Sequence, residues 1–288
     1  MDRLWISIAI VWYLGGVGLA LVSLLRRKTP PHSIIFGLLL VGFLAQSTGL
    51  YLRGMEVQSC PIGNPFEVLQ FISWSIMLLF FMTGPIFRLS LFGAAAANLA
   101  VSISLISLLF PHWDEGRKGF FGGNPWIETH AAIALFSYGV FGLLAAISAL
   151  YLIQNHGLRT KRFPSFLKFF PSLYATETVL HRLILIALLT YSSAVLIGGY
   201  YYVTNPEAIQ LGKLSFTIVL WTGYFLLWFL NQTTKLYAHR LAWSCIGLFL
   251  FALLTLWPVE VNREPKPQPL SSLQSEPGPT HTKLYASR

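Results

Sequence analysis

Stretches of about twenty consecutive apolar residues recur along the whole chain, and no other feature limits its possible folds so sharply. A helix of that length crosses a hydrocarbon core of about 30 Å. Eight such runs stand in order, at 5–25, 34–52, 66–86, 91–110, 131–153, 180–200, 214–230 and 241–257. In lipid the backbone must satisfy its own hydrogen bonds, so each run is expected to be helical. The expected fold is an all-α membrane protein, a polytopic bundle of about eight transmembrane helices. Composition agrees: of 288 residues 55% are hydrophobic and only 11% charged, against roughly 25% charged in soluble domains. Mean hydropathy is +0.60. The bundle is expected to occupy residues 1–258. The tail at 259–288, rich in Pro, Ser, Gln and Glu without apolar periodicity, is expected to be disordered.

The third and fourth runs are separated by little more than Phe87-Arg88-Leu89-Ser90, which predicts a tight helical hairpin. The first run lacks a basic leader and a small-residue cleavage site, so it reads as a retained span rather than a signal peptide. Basic residues set the orientation. Alternate connections hold Arg26, Arg27, Lys28, Arg88, Arg159, Lys161, Arg162, Lys168, Lys235 and Arg240, while the others hold Arg3, Arg53, Arg117, Lys118 and Lys213. The positive-inside rule then places both termini on the non-cytoplasmic side of a bacterial plasma membrane. The net charge of +9 reads as this signature and as a fit to anionic lipid; with no soluble domain to carry a basic groove, nucleic acid is excluded as a partner. Cys60 and Cys245 fall near opposite faces, which argues against a disulfide, and no Cys/His spacing suits zinc.

Unusual polar residues gather on the outer side. Gly63-Asn64-Pro65 makes a turn with Pro65 at the first position of a helix and Glu67 in its first turn. Glu67 can serve as a capping charge or, facing the bundle, can pair with a donor that orients a ligand. Further on, Asn124-Pro125-Trp126 opens another helix, with His130 at the mouth of the fifth apolar run. An imidazole held there can ligate iron, relay a proton, bond a neighbouring helix, or only reach to headgroups. His130, Ser137 and Tyr138 recur at helical spacings of seven and eight, and Gly139, Gly142, Ala145 and Ala146 give a small surface for close helix approach. A helix with an outer His and aromatic neighbours can hold haem, which needs an axial ligand and a dry aromatic wall. His32, His156, His181, His239 and His281 lie at inner helix ends, in inner connections or in the tail, and His112 in the polar stretch before the fifth run.

Four stretches together resemble the cytochrome c assembly family of integral membrane proteins, which includes CcsA-type haem-handling subunits and a shorter HemX-like branch. Over roughly residues 35–257 the match is carried by Gly63-Asn64-Pro65-Phe66-Glu67 with Trp74, and by Trp126 to His130 followed by Ser137-Tyr138 and Tyr151-Leu152-Ile153. Phe170-Pro171-Ser172-Leu173 and Tyr237-Ala238-His239-Arg240-Leu241-Ala242-Trp243 with Gly247 complete it. Two departures qualify it. The connection Tyr200-Tyr201-Tyr202-Val203-Thr204-Asn205-Pro206-Glu207 has no tryptophan where haem-exporting members carry a tryptophan-rich loop. Trp257-Pro258-Val259-Glu260 stands where they carry a second outer histidine. The resemblance implies a membrane protein of cytochrome c biogenesis or haem handling, accessory rather than enzymatic. It would bind haem transiently at the outer face, with His130 as axial ligand to iron, Trp126 and Tyr138 as walls and Glu67 as orienter. Cytochrome c synthetase components or a tetrapyrrole-synthesis enzyme are the expected partners beside the bilayer. The alternatives are a haem-free regulatory or scaffolding membrane protein, and a transporter. The transporter is disfavoured because few polar residues beyond Gln46 interrupt the apolar interiors.

Overall fold

The computed structural model describes residues 2–26, 28–87, 90–114, 125–160, 172–204, 211–233 and 238–261. It is all-helical over these residues: α1 (Asp2–Leu25), α2 (His32–Val57), α3 (Pro65–Phe87), α4 (Ser90–Leu109), a 3-10 turn at Pro111–Asp114, α5 (Pro125–Arg159), α6 (Leu173–Thr204), α7 (Leu211–Thr233) and α8 (Ala238–Val261). Seven of the helices are long and apolar enough to cross a membrane; the apolar part of α4 at Gly93–Leu109 is shorter. Each apolar run is one helix, extended at most ends by polar residues that reach beyond the hydrocarbon. α5 is the extreme case. At 35 residues and about 1.5 Å per residue it is roughly 52 Å long, so both its ends project past the membrane core. His130, at the mouth of the apolar run, therefore lies in the second turn of a helix that begins at Pro125. The Arg88-Leu89 link, Gly122-Gly123-Asn124, the stretch 161–171, Tyr237 and the tail after Val261 lie outside the described residues.

The bundle falls into two groups of four. α1 packs along α2, α3 along α4, and α4 returns to α1; in the second group α5 packs along α6 and α8, with α7 bridging α6 and α8. α3 against α5 is the main seam. Close approach there depends on Gly139, whose missing side chain leaves room for Ser75 and Ile76 of α3. Gly142 lies against Ile76 and Phe249, so the small surface expected on α5 seats both α3 and α8. Gly93 likewise accommodates the Phe80 ring across the α3–α4 hairpin.

Helix directions alternate. Asp2 at the start of α1, Arg53 near the end of α2, Glu67 at the start of α3 and Asp114 after α4 meet in one cluster. In the second group His130 of α5 meets Ala194 and Gly198 late in α6, and Tyr138 meets Thr255 late in α8. The start of α1 and the end of α8 thus lie at the same end of the bundle, as an even number of crossings requires.

Candidate functional site

The end of the bundle carrying Asp2, Glu67 and His130 holds two polar assemblies. The first is built on Arg53. The sequence places this arginine in an outer connection, but α2 runs through it to Val57 and its side chain is fully buried. A buried guanidinium requires acceptors in the directions of its own N–H groups. Nε donates to Glu67 Oε1 at 2.6 Å, Nη1 to Asp2 Oδ2 at 2.5 Å, and Nη2 to Asp114. Arg3 adds a second guanidinium, its Nε 2.7 Å from Asp114 Oδ2. Both cations lie over the Phe66 ring, at 4.8 Å for Arg53 and 5.2 Å for Arg3, an arrangement that adds cation–π attraction. The turn before α3 is organised by the same carboxylate. Glu67 Oε2 accepts the Gly63 N–H at 2.6 Å, and Asn64 Oδ1 caps the Glu67 N–H at 2.9 Å. Glu67 thus holds the turn before α3 and pairs with the buried Arg53 guanidinium.

Below this cluster a ladder of carboxamides and hydroxyls crosses α1 to α4. Tyr13 donates to Gln46 Oε1 at 3.0 Å; Gln46 Nε2 reaches Gln70 Oε1 and Ser73 Oγ at 3.1 and 3.2 Å. Gln70 Nε2 donates to Ser107 at 2.7 Å, and Ser104 donates to Ser73 at 2.9 Å. All are buried. Gln46 was the only member singled out by sequence; Gln70 and the serines escape notice because isolated polar residues in apolar runs look alike until helices are docked.

The second assembly surrounds His130. Its Nδ1 is 2.8 Å from the Ala194 carbonyl oxygen of α6. A carbonyl only accepts, so Nδ1 carries the proton and the Nε2 lone pair is left for another partner. The ring lies close against Gly198: a β-carbon there would meet Cε1 at 2.5 Å and Nδ1 at 2.6 Å. One turn before His130, Trp126 packs on Tyr200 of α6 with ring centroids 5.3 Å apart, and both rings are exposed. The imidazole thus sits beneath an aromatic ledge shared by α5 and α6. Tyr138 is eight residues further along α5, about 12 Å deeper. It is buried, and its hydroxyl is 3.3 Å from Thr255 Oγ1. Its ring joins Phe141, which stacks on Tyr224 at 4.0 Å. Of the four residues singled out from sequence, Trp126 and His130 stand one turn apart. Tyr138 lines the core below, and Glu67 belongs to the Arg53 cluster. The contributions of Ala194, Gly198 and Tyr200 were missed; the pair Gly198-Gly199 in an apolar run was the available signal.

The helices that carry Glu67 and His130 pack on each other along the α3–α5 seam. The Cys60 thiol is pushed up to about 11 by burial and by the nearby carboxylates of Glu128 and Glu67. Cys60 and Cys245 are both free thiols. Among the described residues, no group of three or more His, Cys, Asp or Glu side chains could hold a metal ion.

Known proteins decide the family. The cytochrome c assembly protein family matches residues 62–261, well over half of the chain. The chain belongs to that family. Its relatives include the protein HemX of Brevibacillus brevis, 26% identical over 180 residues that make up 62% of this chain and 66% of that protein. HemX of Bacillus subtilis is 23% identical over 226 residues, 75% of this chain and 80% of that protein. NrfI of Wolinella succinogenes is 31% identical over 127 residues, 40% of this chain but only 13% of that protein. The matched part thus spans about two thirds of the Brevibacillus protein and a small fraction of NrfI. These relationships and the helical bundle make the chain a multi-pass membrane protein related to cytochrome c biogenesis.

Proposed function

We propose that this family member is an accessory, non-enzymatic protein that receives haem transiently at the end of the bundle bearing His130. In this reading that end faces outward across a bacterial plasma membrane, with both termini on the same outer side, which the distribution of basic residues supports. The observation that carries this reading is the hydrogen bond from His130 Nδ1 to the Ala194 carbonyl. Metal-ligating histidines characteristically donate their second ring N–H to a carbonyl or carboxylate, which fixes the tautomer and presents the other nitrogen to the metal. The donor set fits a single axial ligand: bound haem would supply an iron able to accept the Nε2 lone pair. Trp126, with Tyr200, offers the aromatic wall. Tyr138 supports the helix face below, and Glu67 fixes the outer-end architecture through Arg53 rather than by reaching the ring. Handing haem to synthetase components of cytochrome c assembly, or reporting its supply to a tetrapyrrole-synthesis enzyme, is the role we assign.

With one strong protein ligand, the bound iron is expected to be five-coordinate, or completed by water or a partner's side chain. The test is the Soret absorption of detergent-purified protein after haem-replete expression. His130→Ala should abolish the band, and added imidazole should partly restore it. Wild-type protein without haem, together with His130→Ala supporting cytochrome c maturation normally, would defeat the ligand reading and leave a haem-free scaffolding role in its place.

A further inference from the structure

At the opposite end of the bundle a cleft of about 850 Å³ opens between the last turns of α5 and the first turns of α8. Its size is that of a site for a drug-sized molecule. Leu152, His156 and Arg159 line it from α5, and His239, Trp243 and Ile246 from α8. On each helix the three stand at positions i, i+4 and i+7, so they form one stripe. The helices are antiparallel, and the two stripes are graded the same way. Arg159 and His239 stand at the outermost level, His156 and Trp243 come next, and Leu152 and Ile246 lie deepest. Because α5 overreaches the hydrocarbon core, its last turn projects to headgroup level. Arg159, His156 and Trp243 are exposed, and among the described residues Arg159 has no carboxylate partner. An unpaired guanidinium with two imidazoles above an aromatic and aliphatic wall matches an amphiphile with an anionic head.

We propose that this cleft binds an anionic amphiphile, its phosphate or carboxylate between Arg159, His156 and His239 and its apolar body against Trp243, Ile246 and Leu152. A membrane phospholipid and a carboxylate-bearing porphyrin both meet that description. The site is separate from His130 and stands or falls independently of it.

The full chain in nanodiscs distinguishes the two sources. One arm measures enrichment of phosphatidylglycerol over phosphatidylcholine around the protein by native mass spectrometry. The other titrates metal-free protoporphyrin IX by its fluorescence, so that no iron ligand enters. At least one probe should bind, and Arg159→Glu should weaken it on the order of tenfold, because a cation facing the anionic head becomes a repelling charge. His156→Gln/His239→Gln should weaken it less. Enrichment of phosphatidylglycerol alone assigns a lipid site, and porphyrin binding alone a tetrapyrrole site. Failure of both probes, or binding to Arg159→Glu equal to wild type, would overturn the proposal. Should Arg159→Glu lower the melting temperature, Arg159→Gln, which leaves the same exposed position uncharged, is read against the same two outcomes.

Discussion

The two four-helix groups solve the problem of polar residues in a membrane in opposite ways. In α1 to α4 the buried polar groups are gathered into the Arg53 cluster and the Gln46–Gln70 ladder, which engage all four helices. In α5 to α8 the helices meet mainly through glycines and stacked aromatics, joined by single polar bonds such as Thr176 to Gln154 and Trp221 to Ser192. Among the described residues, the buried Tyr224 hydroxyl and Trp228 Nε1 have no hydrogen-bond partner, and His130 commits one ring nitrogen to Ala194. Buried polar atoms without a partner also occur in the first group, at Asn64 Nδ2 and Arg3 Nη2, so what differs is that the first group gathers its polar bonds into networks. On that difference the first group is the clamp and the second, under the proposed function, the receiving side, and the following variants should separate them.

The largest effect is expected at Arg53. Removing one partner of a buried ion pair leaves the others charged and uncompensated, a cost of about 3–5 kcal/mol. Arg53→Ala should therefore lower the melting temperature in detergent more than any other variant considered, and Glu67→Gln, which keeps an acceptor, should cost less than Glu67→Ala or Glu67→Lys. A melt of Arg53→Ala close to wild type would end the view of this cluster as the clamp.

On the receiving side the equivalent variant should touch binding and spare stability. Gly198→Ala places a methyl where His130 Cε1 and Nδ1 stand, at 2.5 and 2.6 Å, and so turns the imidazole away from the Ala194 carbonyl. Loss of such an outer-shell contact costs about 10–100-fold in metal affinity, and haem retention should fall accordingly while the melt moves little. Equal losses of stability and haem would make Gly198 a packing residue of the ordinary kind.

The contrast between the groups also explains what could be read before the helices were docked. Eight helices, the tight approach at Gly139 and Gly142, and the helix start at Pro65 follow from local rules of hydropathy, side-chain volume and turn chemistry. The polar clusters depend on register between helices distant in sequence. Arg53 lies 14 residues from Glu67, 51 from Asp2 and 61 from Asp114, and nothing local tells it from an arginine in a loop. His130 stood out because of its position at a helix start beside aromatics. Its carbonyl partner is 64 residues away, so the tautomer, on which the ligand reading depends, was beyond reach of the sequence.

A smaller effect is expected from the ladder. Gln70→Leu strands the acceptors that its side chain serves at Ser107 and Ser104; hydrogen bonds of this kind between membrane helices are worth about 1–2 kcal/mol at most. Gln46→Leu should cost a similar amount. The double variant should cost less than the two together, because Gln46 and Gln70 are partners and their effects are coupled. Strict additivity in the melts would mean that the ladder does not act as one network.

The smallest effect concerns the seam where clamp and receiving side adjoin. Cys60 is pushed up to about 11 by burial first, then by Glu128 and Glu67. At neutral pH its thiol is therefore almost wholly protonated, and since the thiolate is the reactive form, alkylation should be slow and should accelerate as pH rises towards 11. Glu128→Gln removes one of the negative charges opposing the thiolate. The thiol's titration should then move down, and iodoacetamide should react faster at pH 8 in a Cys245→Ala background, where Cys60 is the remaining cysteine. Burial, the larger cause, stays in place, so the gain should be modest, and the melt should not change. The experiment reads the position of α5 directly, because Glu128 acts on Cys60 only if the start of that helix lies against the α2–α3 connection. An alkylation rate indifferent to Glu128 would leave burial and Glu67 as the causes that hold the Cys60 thiol protonated.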